Sequence, residues 1–101
     1  MKFIFEVRIK EGHTAEEYAA AWVRASELIQ QAPGARGTRL HRSLNDPNRL
    51  IAIAEWDSKA QRDAMEKKDN PKVAEIIRSA APFVEINPIG EFNEPEWVVL
   101  P

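Results

Sequence analysis

The chain has 101 residues, no cysteine, and a formal net charge of −2 from 14 basic and 16 acidic side chains. That length gives one domain with a modest core, and the missing thiols exclude disulfides, thiolate metal sites and cysteine nucleophiles. Interspersed charges of both signs argue against a broad nucleic-acid surface, and no apolar run approaches the roughly 20 residues that span a bilayer.

Lys2 to Lys10 alternates with a period of two: Phe3, Phe5, Val7 and Ile9 share one face, Ile4, Glu6, Arg8 and Lys10 the other. This is the pattern of a strand. Glu6 and Arg8 also interrupt what would be the apolar centre of a signal peptide, so a cytoplasmic location is expected. Gly12-His13 makes a turn that leaves His13 in solvent, and Thr14-Ala-Glu-Glu17 is a capping box. The helix it opens carries Ala15, Tyr18, Trp22, Ala25 and Ile29 on one stripe and ends before Pro33-Gly34.

The next stretch predicts a hairpin, with one strand from Arg36 to Leu44, a turn at Asn45-Asp-Pro-Asn48, and a second strand from Arg49 to Trp56. Ser58-Lys-Ala-Gln61 is another capping box, for a helix through about Lys68. Asn70-Pro71 restarts the helix, with Asn70 as cap and Pro71 in the first position. Val73, Ile76, Ile77 and Ala80 form its apolar stripe, and Ala81-Pro82 ends it. Phe83 to Phe92 reads as the last strand, with Pro88 arguing for an edge position or a bulge.

The order β-α-β-β-α-β is the ferredoxin-like arrangement of the α+β class, an antiparallel four-stranded sheet with two helices on one face. The uncovered face would carry Ile4 and Ile51 or Ile53, which two sheets packed face to face in a homodimer would bury. The domain spans residues 1–101, with a core of 2–92 and a tail of 93–101. The tail's Trp97-Val98-Val99-Leu100 run needs a docking surface, on its own subunit or on the partner.

Several features together resemble the antibiotic-biosynthesis-monooxygenase-like family of dimeric α+β barrels. They are the Phe3-Ile-Phe-Glu-Val-Arg-Ile9 strand, Pro33-Gly34 with Gly37, Arg42-Ser43, Asp46-Pro47, and Glu55-Trp56-Asp57-Ser58 leading into a helix. The likeness covers about residues 2 to 92. It implies a cofactor-independent monooxygenase that needs no metal or flavin and acts with O₂ on a small aromatic, quinol- or polyphenol-like substrate. A non-catalytic binding or stress-response protein, and an isomerase or cyclase using the same pocket, are the alternatives within the fold. Haem degradation is disfavoured: its relatives use a histidine on the second helix, and residues 58–81 contain none; they also use an asparagine where the first strand has Val7.

In the oxygenase reading, the substrate loses a proton in an apolar pocket and its anion gives an electron to O₂. Such a pocket needs aromatic walls, a base and a donor for the oxyanion. Phe5, Val7, Tyr18, Trp22 and Trp56 are the expected lining, with Tyr18 and Trp56 as catalytic candidates. His41, the only histidine on a predicted strand, is the candidate base. Its facing depends on the hairpin register, because a slip of one residue reverses every side chain. Arg39 and Arg42 either anchor an acidic or enolate group of the substrate or join Glu6, Glu55 and Glu85 in an ion-pair network across the sheet–sheet interface of the dimer.

Overall fold

The computed structural model describes residues 1–101. Strands β1 (Lys2–Ile9), β2 (Ala35–Arg42), β3 (Arg49–Trp56) and β4 (Val84–Phe92) form one antiparallel sheet in the order β2-β3-β1-β4. Helices α1 (Ala15–Ile29), α2 (Lys59–Lys67) and α3 (Pro71–Ala80) complete the ferredoxin-like α+β fold, and a short 3₁₀ turn at Ala81–Phe83 leads into β4. None of the helices is long and apolar enough to cross a membrane.

The local signals act as their chemistry requires. The Thr14 hydroxyl accepts from the Glu17 amide at 3.1 Å, and the Thr14 amide donates to the Glu17 carboxylate at 3.0 Å. Ser58 and Asn70 cap α2 and α3 through the amides of Gln61 and Val73, but the expected box at Ser58 is half formed: the Gln61 side-chain carbonyl oxygen accepts from the Ser58 hydroxyl at 3.1 Å rather than from its amide. β4 is an edge strand, and its register with β1 shifts between Ile4 and Phe5, where Phe5 faces Pro88 and Ile4 faces Gly90. Pro88 therefore sits on an edge and beside a bulge, as its missing amide demands.

The central hairpin is shorter and differently registered than its sequence suggests. β2 ends at Arg42, and Leu44 stands fully in solvent in the connection. Ser43 closes the ladder by donating to the Arg49 carbonyl at 2.9 Å, and its hydroxyl accepts from the amides of Asn45 and Asp46. Hydroxyl and carboxylate acceptors for loop amides let five residues, 44–48, make the turn. Arg42 consequently pairs with Leu50, Leu40 with Ala52 and His41 with Ile51.

One face of the sheet meets the helices. Val7, Ile9, Leu50 and Val84 pack there with Ala15, Tyr18 and Ala21 of α1 and with Ala80 of α3. The other face carries Ile4, Ile51 and Ile53 with a band of charge and has no covering layer. The molecule is only 18 Å thick, which is one sheet plus one layer of helices.

On that open face the Glu6 carboxylate, mostly enclosed, accepts from Arg49, from Arg8 at 3.1 Å and from Asn87 at 3.1 Å. The Arg49 hydrogen bond, then that of Asn87 and the charge of Arg8, hold the Glu6 carboxyl below its ordinary 4.5 against the opposing effect of desolvation. A lowered folded pKa gives stability that is present above pH 4.5 and is lost as pH falls through the folded value. Glu6→Gln should therefore lower the thermal midpoint at pH 7, and the difference from wild type should shrink below about pH 4.5. Thermal melts across that range test it; a gap that stays constant would mean that the network does not depend on the charge.

Candidate functional site

A cavity of about 1220 Å³ lies between the helices and the inner face of the sheet. Small residues leave the space. The inner face of β3 presents Ala54 beside Trp56, and α1 turns Ala21 and Ala25 toward it. Helix α2 buries no residue at all, because Ala60, Ala64 and Met65 are its only apolar side chains. It lacks the apolar area needed to close onto the sheet. The volume exceeds the roughly 300–1,000 Å³ of ordinary ligand pockets.

Phe5, Tyr18, Trp22 and Trp56 line this cavity together. Trp56 is 4% exposed, and its backbone is fixed at the sheet end by two hydrogen bonds with Met1, at 2.9 and 3.0 Å. Tyr18 is 7% exposed, and burial alone pushes its phenol up to about 12. Neither the phenol oxygen nor the Trp56 indole nitrogen is sealed in without a partner; only His13 Nδ1 is. Both polar atoms therefore open onto the cavity. Tyr18 is a neutral donor at physiological pH rather than a base.

Tyr18 is the only tyrosine of the chain, so its ionisation can be read directly. Tyrosinate absorbance should rise with a midpoint near 12, not 10.0. A folded-state pKa above the unfolded one means that the stability gained from the neutral phenol is present below pH 10 and lost as pH rises through about 12. A midpoint near 10 would place the ring in water.

Four residues expected at the pocket stand elsewhere. Val7 has no exposed surface and belongs to the packed core beside the cavity rather than to its wall. His41, paired with Ile51, points to the open face of the sheet and is exposed, on the side away from Tyr18 and Trp56. Arg39 shares that face and lies 4.0 Å from Glu55, which also pairs with Lys2 at 3.4 Å. Arg42 faces the helix side at the sheet edge, where it donates to Glu16 at 2.7 Å. The register of the hairpin decides all three of the hairpin positions. His13, expected in solvent, instead stacks on Phe83 with ring centroids 4.8 Å apart.

Residues not expected at the pocket also reach the cavity: Ser26 on α1, Thr38 on β2, and Gln61, Arg62 and Met65 on α2. The signal for the last three was present. Positions 61, 62 and 65, three and four apart after the Ser58 cap, mark one helix face. Gln61 also packs under the turn at Gly34, whose φ of +86° and missing Cβ make room for it. A methyl group there would lie 2.5 Å from the Gln61 side chain.

A family model described as Antibiotic biosynthesis monooxygenase matches residues 1–74. No curated protein matches the chain in sequence. Among solved structures, a variant of SnoaB, a cofactor-independent oxygenase from Streptomyces nogalater, superposes with a TM-score of 0.82 at 15% identity, over 96% of this chain and 94% of that one. A conserved protein from Methanosarcina mazei Go1 matches with a TM-score of 0.69 at 17% identity, over 90% and 91% of the two chains. An antibiotic biosynthesis monooxygenase matches with a TM-score of 0.69 at 13% identity, over 94% and 100%. At these identities the superpositions establish the shared fold.

Proposed function

Because the chain belongs to the antibiotic biosynthesis monooxygenase family, we propose that it is a cofactor-independent monooxygenase of the cytoplasm whose substrate is a small quinol- or polyphenol-like aromatic. The observation that carries this reading is the open cavity, with the Tyr18 phenol and the Trp56 indole as unpartnered donors in an apolar wall. A phenol bound there gives its proton to water at the mouth and leaves an electron-rich anion. That anion passes one electron to O₂, and the resulting radical and superoxide combine at a ring carbon that bears a hydrogen, giving a peroxide anion that takes the proton back from water. Loss of water from the peroxide leaves a quinone, so one O₂ is consumed and one water is formed. Tyr18 donates to the oxyanion, the role a hydrogen-bond donor plays best in a dry site. The aromatic walls exclude water and stack on the ring.

Oxygen consumption by the purified protein against a panel of naphthoquinols and anthrone-like phenols tests this. Uptake above the autoxidation blank, lost in Tyr18→Phe, supports the reading; no uptake across the panel overturns it. A second reading, a non-catalytic small-molecule binder, is favoured by the position of His41 on the opposite face, which leaves the cavity without the expected base. Ligand-induced rises in the thermal midpoint without oxygen uptake would select it.

The assembly proposed with this function is a homodimer packed through the open sheet faces. The thin fold and the apolar Ile4, Ile51 and Ile53 on the uncovered face support it. The tail, 93–101, is tied to its own subunit only at Glu94, which accepts from the Met1 amine at 2.9 Å, and its apolar end is uncovered: Trp97 is 86% exposed, Val99 96% and Leu100 79%. We place it on the partner, as the extension of a domain whose core is 2–92. Light scattering should give twice the 11.5 kDa of one chain, and a monomeric mass at micromolar concentration would overturn the packing.

A further inference from the structure

We propose that Arg62 is the anion anchor of the cavity, and that it selects aromatic ligands bearing an ionised oxygen, such as a phenolate or a hydroxyquinone anion. This deepens the reading of the cavity as a substrate site and rests on it. Helix α2 buries no residue, yet the Arg62 side chain is only 11% exposed. Its guanidinium carbon lies 3.8 Å from the centroid of the Phe3 ring, and both residues line the cavity. The ring covers one face of the cation and holds the fork in place.

Few of the donors are used. Nη1 donates to Glu66 at 3.3 Å, while Asp63 and Glu91 stand at 3.9 and 4.0 Å as counter-charges beyond hydrogen-bond range. Nε and Nη2 make no hydrogen bond to the protein and are not sealed in. Guanidinium carries five donors in a planar fork suited to oxyanions. An aromatic ligand can lay its ring against the cavity wall and present its oxygen to the free side of that fork.

Local charge sets the size of the effect. Asp63 and Glu91 are shared with Lys59, at 3.2 and 3.1 Å, and Glu66 is 64% exposed, where water screens it. Two cations against three carboxylates leave no strong positive field, so selectivity comes from the hydrogen bonds themselves. Charge-assisted bonds of this kind are worth roughly tenfold or more in affinity.

The test is equilibrium binding, followed by quenching of tryptophan fluorescence, of lawsone, a hydroxynaphthoquinone anionic at neutral pH, and of its uncharged methyl ether. Both are already oxidised, so binding is read apart from turnover. Wild type should bind the anion about tenfold or more tighter than the ether. Arg62→Gln should bring the ratio close to one, and Arg62→Lys should leave it between the two. If Arg62→Gln does not fold, judged by circular dichroism, the wild-type pH series decides. Lawsone should weaken as it is protonated while the ether stays constant. Equal affinities in wild type, a preference that survives in Arg62→Gln, lawsone affinity that ignores its protonation, or no binding of either compound would each overturn the proposal. A preference for the anion in a protein that consumes no oxygen would leave the anchor standing and remove the oxygenase reading alone.

Discussion

Trp56→Ala should lower the unfolding free energy by about 3 kcal/mol, the lower end of the cost of truncating a buried Trp. The ring is 4% exposed and ends the inner row of β3 after Ala52 and Ala54, so little else fills that end of the sheet. Truncation loses the burial of a large aromatic, but the space left joins an existing cavity of about 1220 Å³ rather than forming a closed void. That relieves part of the penalty an enclosed void would add. A total stability of about 5–15 kcal/mol is usual for such domains, and only 11 residues here are buried, so this one ring holds a large share. Urea unfolding followed by far-ultraviolet circular dichroism measures the change without relying on the deleted fluorophore. Trp56→Phe keeps an aromatic wall and should cost clearly less. A loss under about 1 kcal/mol for Trp56→Ala would mean that the indole is not a packing element.

The parts of the fold that were legible are those that local chemistry determines. The period-two row from Phe3 to Ile9 reads as a strand because alternate side chains must enter different media. The Thr14, Ser58 and Asn70 caps read as helix starts because orphan amides need acceptors. Pro88 announced an edge or a bulge because it cannot donate to a ladder, and it has both.

The site was legible only in part, and the reason is register. Tyr18 and Trp22 come from a stripe that runs the length of α1, from Ala15 to Ile29, and Trp56 from the strand end, so their facing follows from the elements alone. His41 and Arg39 depend instead on the number of residues in one turn. The Ser43 hydroxyl draws that turn to five residues, and both side chains move to the open face. The cavity itself is a difference between volumes, created where Ala21, Ala25 and Ala54 face a helix too polar to collapse. No single residue signals it. Arg62 escaped because a charge on a polar helix reads as solvated, whereas the Phe3 ring, with Glu91 of β4 nearby as a counter-charge, draws it onto the sheet.

Tyr18→Phe separates chemistry from architecture more cleanly than any other change in this chain. The phenol makes no hydrogen bond to the protein, so its removal orphans no partner and leaves the ring's place in the core between α1 and the sheet intact. Stability should stay within about 0.5 kcal/mol of wild type, or rise slightly, because a buried hydroxyl without a fixed partner is costly. Oxygen uptake on a responsive quinol should fall roughly 10²–10³-fold in kcat, the loss seen when one oxyanion donor is removed from a dry site. With its pKa pushed up to about 12, Tyr18 stays neutral throughout the working range, so wild type and variant should show parallel pH profiles between about pH 6 and 9. A profile that changes shape would mean that Tyr18 carries a proton in the reaction rather than donating a fixed hydrogen bond. Full uptake in Tyr18→Phe would move the donor role to the Trp56 indole or to the free side of Arg62, the two other donors that open onto the same cavity.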